Sequence, residues 1–395
     1  MNKLWRLLLS AMVLVGFGQQ AFAQGGSVVS PNTVGRENVI NTAVPFLRIS
    51  PDARSGAMGD VGVALSPDAS ATYWNFSKLN FAQEDAGISI SYTPWLTELV
   101  SDVFLAYLSG YQKLDNRQVV GGSIRYFDLG DMRFRNSQGE GQGFFHPREF
   151  AVDAGYARML SPHWSLGIAL RYIYSNLASG VSVGNVSFKP GQAVAGDITV
   201  FYTNKVDYGS IADQGKQGTW RFGVAVTNIG SKISYASNAQ YKNFIPTNLG
   251  VGGAYTYQFD RYNKLTLSVD INKLLVPTPD SSDLDDDGVL DYREKSVISG
   301  IFGSFSDAPG GFKEEFHELK YSVGLEYWYN NLFALRAGYF NENKHKGNRK
   351  FFTLGLGLKY LGFGLNFSYL VPSGKGPQRN PLSNTLRFSL LYNFR

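Results

Sequence analysis

An acidic run between residues 283 and 294 has the spacing of a calcium-binding loop. Acidic residues stand at loop positions 1, 3, 5, 9 and 12, and Gly288 stands at position 6, where the chain must turn sharply. Ca²⁺ takes about six to eight hard oxygen ligands, which carboxylates, a backbone carbonyl and a water-mediated aspartate supply in such loops. The predicted ligands are Asp283, Asp285, Asp287, the carbonyl of Val289, Asp291 and Glu294. The run therefore predicts a structural calcium site, and the alternative is a solvated acidic loop without a metal.

No arrangement of residues in the sequence predicts catalysis. The chain has no cysteine, which excludes thiol nucleophiles, disulfides and cysteine-ligated metals. A hydrolase would need a general base beside a nucleophile, but all four histidines fall in predicted loops and turns, and no G-x-S-x-G motif occurs. The histidines are His146, His163, His317 and His345. We therefore predict that the protein is not an enzyme and, apart from the predicted calcium ion, uses no cofactor.

The composition indicates a chain that does not face water on all sides. Charged residues make up 17% of the 395 residues, whereas a soluble domain usually has about a quarter. Aromatic residues make up 14%, and there are 44 glycines. The formal net charge of +5 is modest and forms no basic stripe, so nucleic-acid binding is not predicted.

The N-terminus has the order of a secretory signal peptide. Lys3 and Arg6 precede the apolar run Leu7–Phe17, and Ala21 and Ala23 are the small residues of an A-x-A cleavage site. We predict cleavage after Ala23, so that residues 1–23 are a signal peptide and the protein leaves the cytoplasm. No later run of about 18 apolar residues predicts a transmembrane helix.

From residue 86 onward, apolar residues recur at every second position, which places them on one face of a strand. Leu166, Ile168 and Leu170, for example, alternate with small or polar residues. The polar face is rich in Gly, Ser and Ala, and the apolar face ends in aromatic residues, as in the girdles of membrane barrels. This pattern predicts an all-β fold, a transmembrane antiparallel β-barrel of about 14 strands over residues 86–395, rather than a soluble β-sandwich. The predicted strands lie near 86–94, 103–112, 117–128, 149–160, 164–175, 193–203, 219–229, 247–259, 263–274, 319–329, 332–340, 351–360, 363–370 and 384–394.

The connections between these strands alternate in length. Tight turns such as 161–163 and 330–331 alternate with long connections, of which 275–318 is the longest and contains the acidic run. Outer-membrane barrels have short periplasmic turns and long external loops, so we predict that 275–318 is external. The connection 204–218 is too long for a periplasmic turn, which indicates a misplaced strand edge there.

The segment before the barrel does not alternate and is rich in small and apolar residues. Glycines such as Gly56, Gly59 and Gly62 would let its backbone pass close to a barrel wall. We predict that residues 24–85 are an N-terminal extension and plug, with the plug folded into the lumen, and the alternative is an extension lying in the periplasm. Luminal acidic residues and arginines on the predicted strands, such as Asp270, Glu326 and Arg387, would form salt bridges that steady the plug.

Two stretches carry a resemblance to known families. Residues 68–79 resemble the N-terminal hatch of FadL-type channels, which are fourteen-stranded barrels, although Asn75-Phe76-Ser77 stands where that family usually has Asn-Pro-Ala. The run Thr42–Asp60 and the motif 302–315, which reads FGSFSDAPGGFKEE, are similar to the PorV family. That family comprises FadL-like outer-membrane proteins of the Bacteroidetes type IX secretion system. The likeness extends from residue 41 to the C-terminus.

The resemblance implies a function that strand periodicity does not show. PorV proteins bind the C-terminal signal domains of secreted cargo, dock on the SprA-type translocon barrel and deliver cargo to a PorU-type attachment complex. It also implies a location in the cell outer membrane. The competing hypothesis, from the hatch resemblance, is a FadL-type passive channel for hydrophobic solutes.

Three phenylalanines of the motif, Phe302, Phe305 and Phe312, stand among glycines in the predicted external loop. Large apolar side chains exposed outside a barrel would be costly unless something covers them. They would either fold onto the barrel mouth or form part of a surface that meets a partner, as aromatic interface anchors. Both interpretations stay open from the sequence alone.

Overall fold

The structure, a computed structural model, describes most of the chain from residue 39 onward. The described residues are 39–97, 99–135, 141–179, 182–183, 186–208, 216–236, 242–279, 283–284, 289–371, 382 and 384–394. The predicted signal peptide, and Asp285 and Asp287 of the predicted calcium site, lie outside them.

Fourteen strands of the described chain form one closed antiparallel barrel. Each strand pairs with its neighbour along the chain, and the first barrel strand pairs with the last, Ala86 opposite Phe394, which closes the sheet. Numbered along the chain, all eighteen described strands, in the barrel and outside it, are β1 (Ala86–Pro94), β2 (Phe104–Asp115), β3 (Gln118–Asp128), β4 (Met132–Arg135), β5 (Gly141–Phe145), β6 (Arg148–Met159), β7 (Trp164–Asn176), β8 (Ser182–Val183), β9 (Val186–Ser187), β10 (Gly191–Asp207), β11 (Gln217–Gly230), β12 (Asn248–Gln258), β13 (Asn263–Leu274), β14 (Lys320–Tyr329), β15 (Phe333–Asn341), β16 (Lys350–Tyr360), β17 (Phe363–Leu370) and β18 (Leu386–Phe394). The pairs β4–β5 and β8–β9 are small separate sheets within long connections. The predicted fold class is confirmed.

The helices are short and lie before the barrel or in the loop between β13 and β14. They are α1 (Ala53–Gly56), α2 (Ala71–Trp74), α3 (Asp291–Glu294), α4 (Val297–Gly303) and α5 (Phe312–His317), with 3₁₀ turns at Pro45–Arg48 and Phe76–Phe81. Among the described residues, no helix has both the length and the apolar character to span a membrane.

The strands expose their apolar face and bury their polar one. In β7, Leu166, Ile168 and Leu170 are exposed, whereas Ser165 and Arg171 are buried. An apolar outer face of this kind is stable in lipid and would be costly in water. The predicted facing of the strands is therefore confirmed.

One predicted connection was wrong in its bounds. The stretch 204–218 is not a long turn, because β10 continues to Asp207 and β11 begins at Gln217, and these two residues pair with each other. Polar residues such as Asn204 and Lys205 interrupt the apolar alternation here, while the backbone ladder continues through them. Strand ends that extend beyond the apolar band keep their backbone hydrogen bonds, but their sequence no longer alternates between apolar and polar residues.

Residues 43–82 pack closely against the inner wall of the barrel. Gly59 has a positive φ of 72°, and a Cβ on it would lie 2.6 Å from the backbone nitrogen of Tyr339 on β15. A Cβ on Gly338 would lie 2.0 Å from the nitrogen of Gly59. Both glycines are therefore required where this segment crosses β15, since any side chain would push the two backbones apart.

Candidate functional site

An ion-pair cluster fixes the N-terminal segment to strands β14 and β15. Arg54 of α1 donates two hydrogen bonds to the carboxylate of Glu326, from Nε at 2.9 Å and from Nη2 at 2.8 Å. Arg336 donates from Nε to the same carboxylate at 2.7 Å, and Arg54 also donates to Asp68 at 3.0 Å. Bidentate pairs of this kind are among the stronger hydrogen bonds in proteins. The cluster holds α1 against the wall.

Further contacts attach the segment at other points of the wall. The carboxylate of Asp270 on β13 accepts from the backbone nitrogens of Gly62 and Val63, at 2.7 and 2.8 Å. Arg387 on β18 donates to Asp60 at 3.1 Å. Luminal charges on the strands thus meet polar groups of the segment. That the segment is a plug that closes the barrel stays a prediction, which these contacts do not test.

The loop between β13 and β14 is anchored by buried carboxylates. Lys273, at the end of β13, donates to Glu315 and Glu318, at 2.9 and 2.5 Å. Glu318 also accepts from Thr278 at 2.7 Å and from Lys346 at 3.0 Å. Glu315 and Glu318 are both buried. Because each carboxylate is paired with a buried ammonium group, the second half of the loop is held in one position at the barrel end.

Helix α4 packs against Pro277, near the start of the same loop, and against Phe244. Its N-cap is Ser296, whose hydroxyl accepts from the nitrogen of Ser299 at 3.1 Å. Gly300 is the buried residue of the helix, and a Cβ there would lie 3.0 Å from Pro277 and 3.2 Å from Phe244. Because Gly300 has no side chain, the helix can lie close to these two residues.

With its carboxylates turned inward, the loop turns its phenylalanines outward. Phe302 and Phe312 are 73% and 79% exposed, and Phe305 is exposed as well. The structure thus places all three predicted residues at the surface. It adds two that sequence reasoning missed, Ile298 and Phe316. The spacing could have identified them, because Ile298 stands four residues before Phe302 on α4 and Phe316 four after Phe312 on α5.

We refer to the four exposed phenylalanines, Phe302, Phe305, Phe312 and Phe316, as the loop aromatic set, and Ile298 lies exposed beside them in the sequence of α4. The rings of Phe312 and Phe316 lie 5.6 Å apart, which is within the range of paired aromatic side chains. Sequence reasoning also missed the buried lysines that anchor the loop, Lys273 and Lys346, because a lysine at a strand end or in a connection resembles any solvated charge in the sequence.

The predicted calcium site is only partly described. Asp283, Val289, Asp291 and Glu294 lie within the described residues, and Asp291 and Glu294 are the two ends of α3. Asp291 accepts a hydrogen bond from the nitrogen of Leu284 at 3.1 Å. Within the part of the chain that the structure describes, no group of three or more His, Asp or Glu side chains is placed to hold a metal ion. Calcium binding by this run stays a prediction.

The histidines lie outside the strands, as predicted, and the rings of His146 and His163 form hydrogen bonds. His146 contacts Asp131 at 2.9 Å through Nδ1 and Asp128 at 3.0 Å through Nε2. His163 contacts the carbonyl of Thr203 at 2.9 Å through Nδ1. Both ring nitrogens of His146 are therefore occupied by carboxylates, which leaves neither for a nucleophile. The absence of enzymatic activity stays a prediction.

Comparison with known proteins gives one family match. A family model described as "Type IX secretion system protein PorV" matches residues 32–281, more than half of the chain. The matched part includes the run Thr42–Asp60 and ends before the motif 302–315. No curated protein matches the chain.

Several solved structures are similar to this chain at low sequence identity. The toluene transporter TbuX of Ralstonia pickettii has a TM-score of 0.46 and 12% identity, over 87% of this chain and 98% of that one. The toluene transporter TodX of P. putida has the same values. A FadL homologue of Pseudomonas aeruginosa has a TM-score of 0.43 and 9% identity, over 90% of this chain and 99% of that one.

Proposed function

The chain belongs to the PorV family of type IX secretion system proteins and is an outer-membrane component of that system, and from this premise we propose that it binds secreted cargo through the loop aromatic set. The ligand would be the C-terminal signal domain of the cargo. The protein would receive it at a SprA-type translocon barrel and pass it to a PorU-type attachment complex. The N-terminal segment would close the barrel, so that cargo is carried on the protein and does not pass through it.

The observation that supports this proposal most is the arrangement of charge and apolar surface in the loop 275–318. In a solvent-exposed loop, carboxylates are ordinarily exposed and phenylalanines are ordinarily buried. Here Glu315 and Glu318 are buried on lysines, and Phe302 and Phe312 are largely exposed. Large exposed aromatic residues on a firmly anchored loop have the properties of interface anchors, because they release ordered water on binding and lose little conformational freedom.

The competing hypothesis, a channel for hydrophobic solutes, has less support from the described lumen. Such a channel needs an apolar route through the barrel. The inner wall instead carries buried charges that are bonded to the N-terminal segment, including Glu326, Asp270 and Arg387. An apolar solute would have to displace these pairs, and breaking a buried ion pair costs several kcal/mol (about 3–5).

The test is capture of a purified cargo signal domain by the detergent-solubilised protein. We expect Phe302→Ala combined with Phe312→Ala to weaken capture by about tenfold or more, since truncating a hot-spot aromatic residue costs about 2 kcal/mol or more. The matched control is Phe144→Ala, which removes an exposed phenylalanine from a different long connection at the same end of the barrel. It should leave capture unchanged.

Two results would contradict the proposal. One is normal capture by the double variant when its barrel assembles at the normal level. The other is an equal loss of capture in Phe144→Ala. That result would indicate that exposed phenylalanines bind the cargo domain non-specifically and that the loop is not a specific binding surface. Heat-modifiable migration in gels reports barrel assembly in each variant.

A further inference from the structure

The N-terminal segment has contacts at both ends of the barrel. Its last residues lie beside a tight turn, because Lys113, near the end of β2, donates from Nζ to the carbonyl of Ala82 at 2.8 Å. Its first described residues lie among the long connections, where the nitrogen of Ala43 donates to the carbonyl of Phe244, between β11 and β12, at 2.9 Å. Outer-membrane barrels have their long connections outside the cell, which makes residues 39–43 the external end of the segment.

This external end packs under helix α4 of the loop between β13 and β14. Ile40 and Phe244 belong to one buried apolar cluster, which Leu274 and Val276 complete. Val297, the first residue of α4, packs against the same cluster. The buried glycine of α4 also lies against the ring of Phe244. The helix therefore stands on a cluster to which the N-terminal segment contributes a buried isoleucine.

A cavity of about 160 Å³ lies at the same place, and its lining includes Val39, Ile40 and Leu274. Glu318 and Lys346, whose ion pair helps to anchor the second half of the loop, line it as well. The first residues of the segment thus border both supports of the loop, the apolar cluster under α4 and the ion pairs before β14. A side chain shorter than that of Ile40 would enlarge this cavity, because neighbouring groups fill such a space only in part.

We propose that residues 39–43 position the cargo-binding loop, with Ile40 as the positioning residue. This inference depends on the proposed function, because α4 carries Phe302 of the loop aromatic set. Helix α4 has seven residues, and a helix of that length is not stable without tertiary contacts. The position of Phe302 is therefore determined by the cluster under the helix. The N-terminal segment and the cargo surface are then one packed unit, although they belong to distant parts of the sequence.

Cysteine labelling tests the external location of residue 39, because the chain has no cysteine of its own. Val39 is 37% exposed, so Val39→Cys on intact cells should react with a membrane-impermeant maleimide. Ile298→Cys, on α4, is the external control. Leu332→Cys, in the tight turn between β14 and β15, is the periplasmic control and should react only after lysis. If Val39→Cys reacted as Leu332→Cys does, and not as Ile298→Cys does, the proposal would be wrong.

Chymotrypsin digestion of the native, detergent-solubilised protein tests the positioning role without cargo. Ile40→Ala should speed cleavage after Phe302 by about tenfold, because cleavage follows the population of locally opened loop. Cleavage after Phe144, which is exposed in the connection between β3 and β6, should keep its rate. Ile40→Val removes one methyl group and should behave as the wild type does. Leu79→Ala is the matched control, since it truncates a buried side chain of the same segment near its other end, and it should change neither rate.

Capture of a purified cargo signal domain separates this proposal from the proposed function. Ile40→Ala should weaken capture by about fivefold, because apparent affinity falls with the fraction of chains that hold α4 in place, and Ile40→Val should restore it. Absence of capture by the wild type would contradict the proposed function, while digestion would still decide whether Ile40 positions the loop. Unchanged cleavage after Phe302 in Ile40→Ala, equally faster cleavage after Phe144, or an equal effect of Leu79→Ala would each overturn the proposal. Normal capture by Ile40→Ala, beside a wild type that captures cargo, would overturn it as well.

Discussion

Glu326 is the carboxylate that two buried arginines share, Arg54 of the N-terminal segment and Arg336 of the wall. Replacing it with Gln would remove the carboxylate with which Arg336 is paired and would leave Arg54 with Asp68 alone. Breaking a buried pair in this way costs about 3–5 kcal/mol. We therefore expect Glu326→Gln to lower the free energy of unfolding by that amount, measured by urea titration of the folded, heat-modifiable form.

The control for this change is Asp85→Asn. Asp85 forms an ion pair with Lys113 at 3.5 Å, but its side chain is exposed. Exposed pairs contribute about 0–1 kcal/mol, so this variant should unfold almost as the wild type does. Similar losses in the two variants would mean that the Arg54–Glu326 contact contributes no more than a surface pair.

His146 gives a second prediction at the residue scale, a dependence on pH. Hydrogen bonds to Asp131 and Asp128 raise the pKa of His146 above its ordinary value of 6.5. A group whose pKa is raised by folding stabilises the fold fully below its unfolded pKa, and the contribution is lost as pH rises through the folded pKa. Wild type should therefore be more stable than His146→Gln below pH 6.5 and equal to it at alkaline pH.

The measurement is urea unfolding of both proteins across this pH range, together with NMR titration of the imidazole. Asp131→Asn should move the imidazole pKa back toward 6.5. A stability difference that grows with rising pH would have the opposite sign and would refute the assignment.

At the scale of elements, the prediction concerns the lipid face of β7. Ile168 is 53% exposed on the outer face, near the middle of the strand. An arginine at the bilayer midplane costs about 2–4 kcal/mol, whereas near the interface it costs about 0–1 kcal/mol. We expect Ile168→Arg to reduce folding stability in lipid by the larger amount.

Leu160 provides the matched control, because it is exposed in the turn between β6 and β7 and lies outside both strands. Leu160→Arg should cost little. Reversible unfolding in phospholipid vesicles measures both variants, and equal costs would argue that β7 does not cross the membrane at Ile168.

The elements also show how far the sequence could predict the structure. Alternation located all fourteen barrel strands, and the bounds 263–274 and 363–370 agree with the structure to the residue. A two-residue period reports which face is apolar, and a bilayer imposes that pattern over a fixed length. Where the strand leaves the apolar band, as at Asn204 and Lys205, the period disappears and the predicted end was wrong.

The site was less predictable, for a physical reason. Periodicity showed that Glu326 and Arg336 face the lumen, but the pairing of Arg54 with Glu326 joins residues 272 positions apart. Nothing local encodes such a contact. Likewise, the motif 302–315 marked its phenylalanines as notable, while their exposure depends on lysines that anchor the loop from β13 and from residue 346.

For the whole molecule, the open prediction is that residues 43–82 close the barrel. These residues contact the wall through Glu326, Asp270 and Arg387, on three different strands. Because ion pairs and hydrogen bonds hold the segment at these three points, we expect the full chain to show almost no ion conductance in planar bilayers. Removing residues 39–82 should open a conducting path, provided that the shortened barrel still folds, which heat-modifiable migration would show.

The full-length measurement decides this prediction even if the shortened chain fails to assemble. Steady conductance through the intact protein would mean that the segment lies against the wall and leaves a water-filled path beside it. Glu326→Gln serves as an intermediate case, since it loosens one attachment and keeps Asp270 and Arg387 in place. Brief openings in that variant, against a closed wild type, would identify the ionic contacts as what keeps the barrel shut.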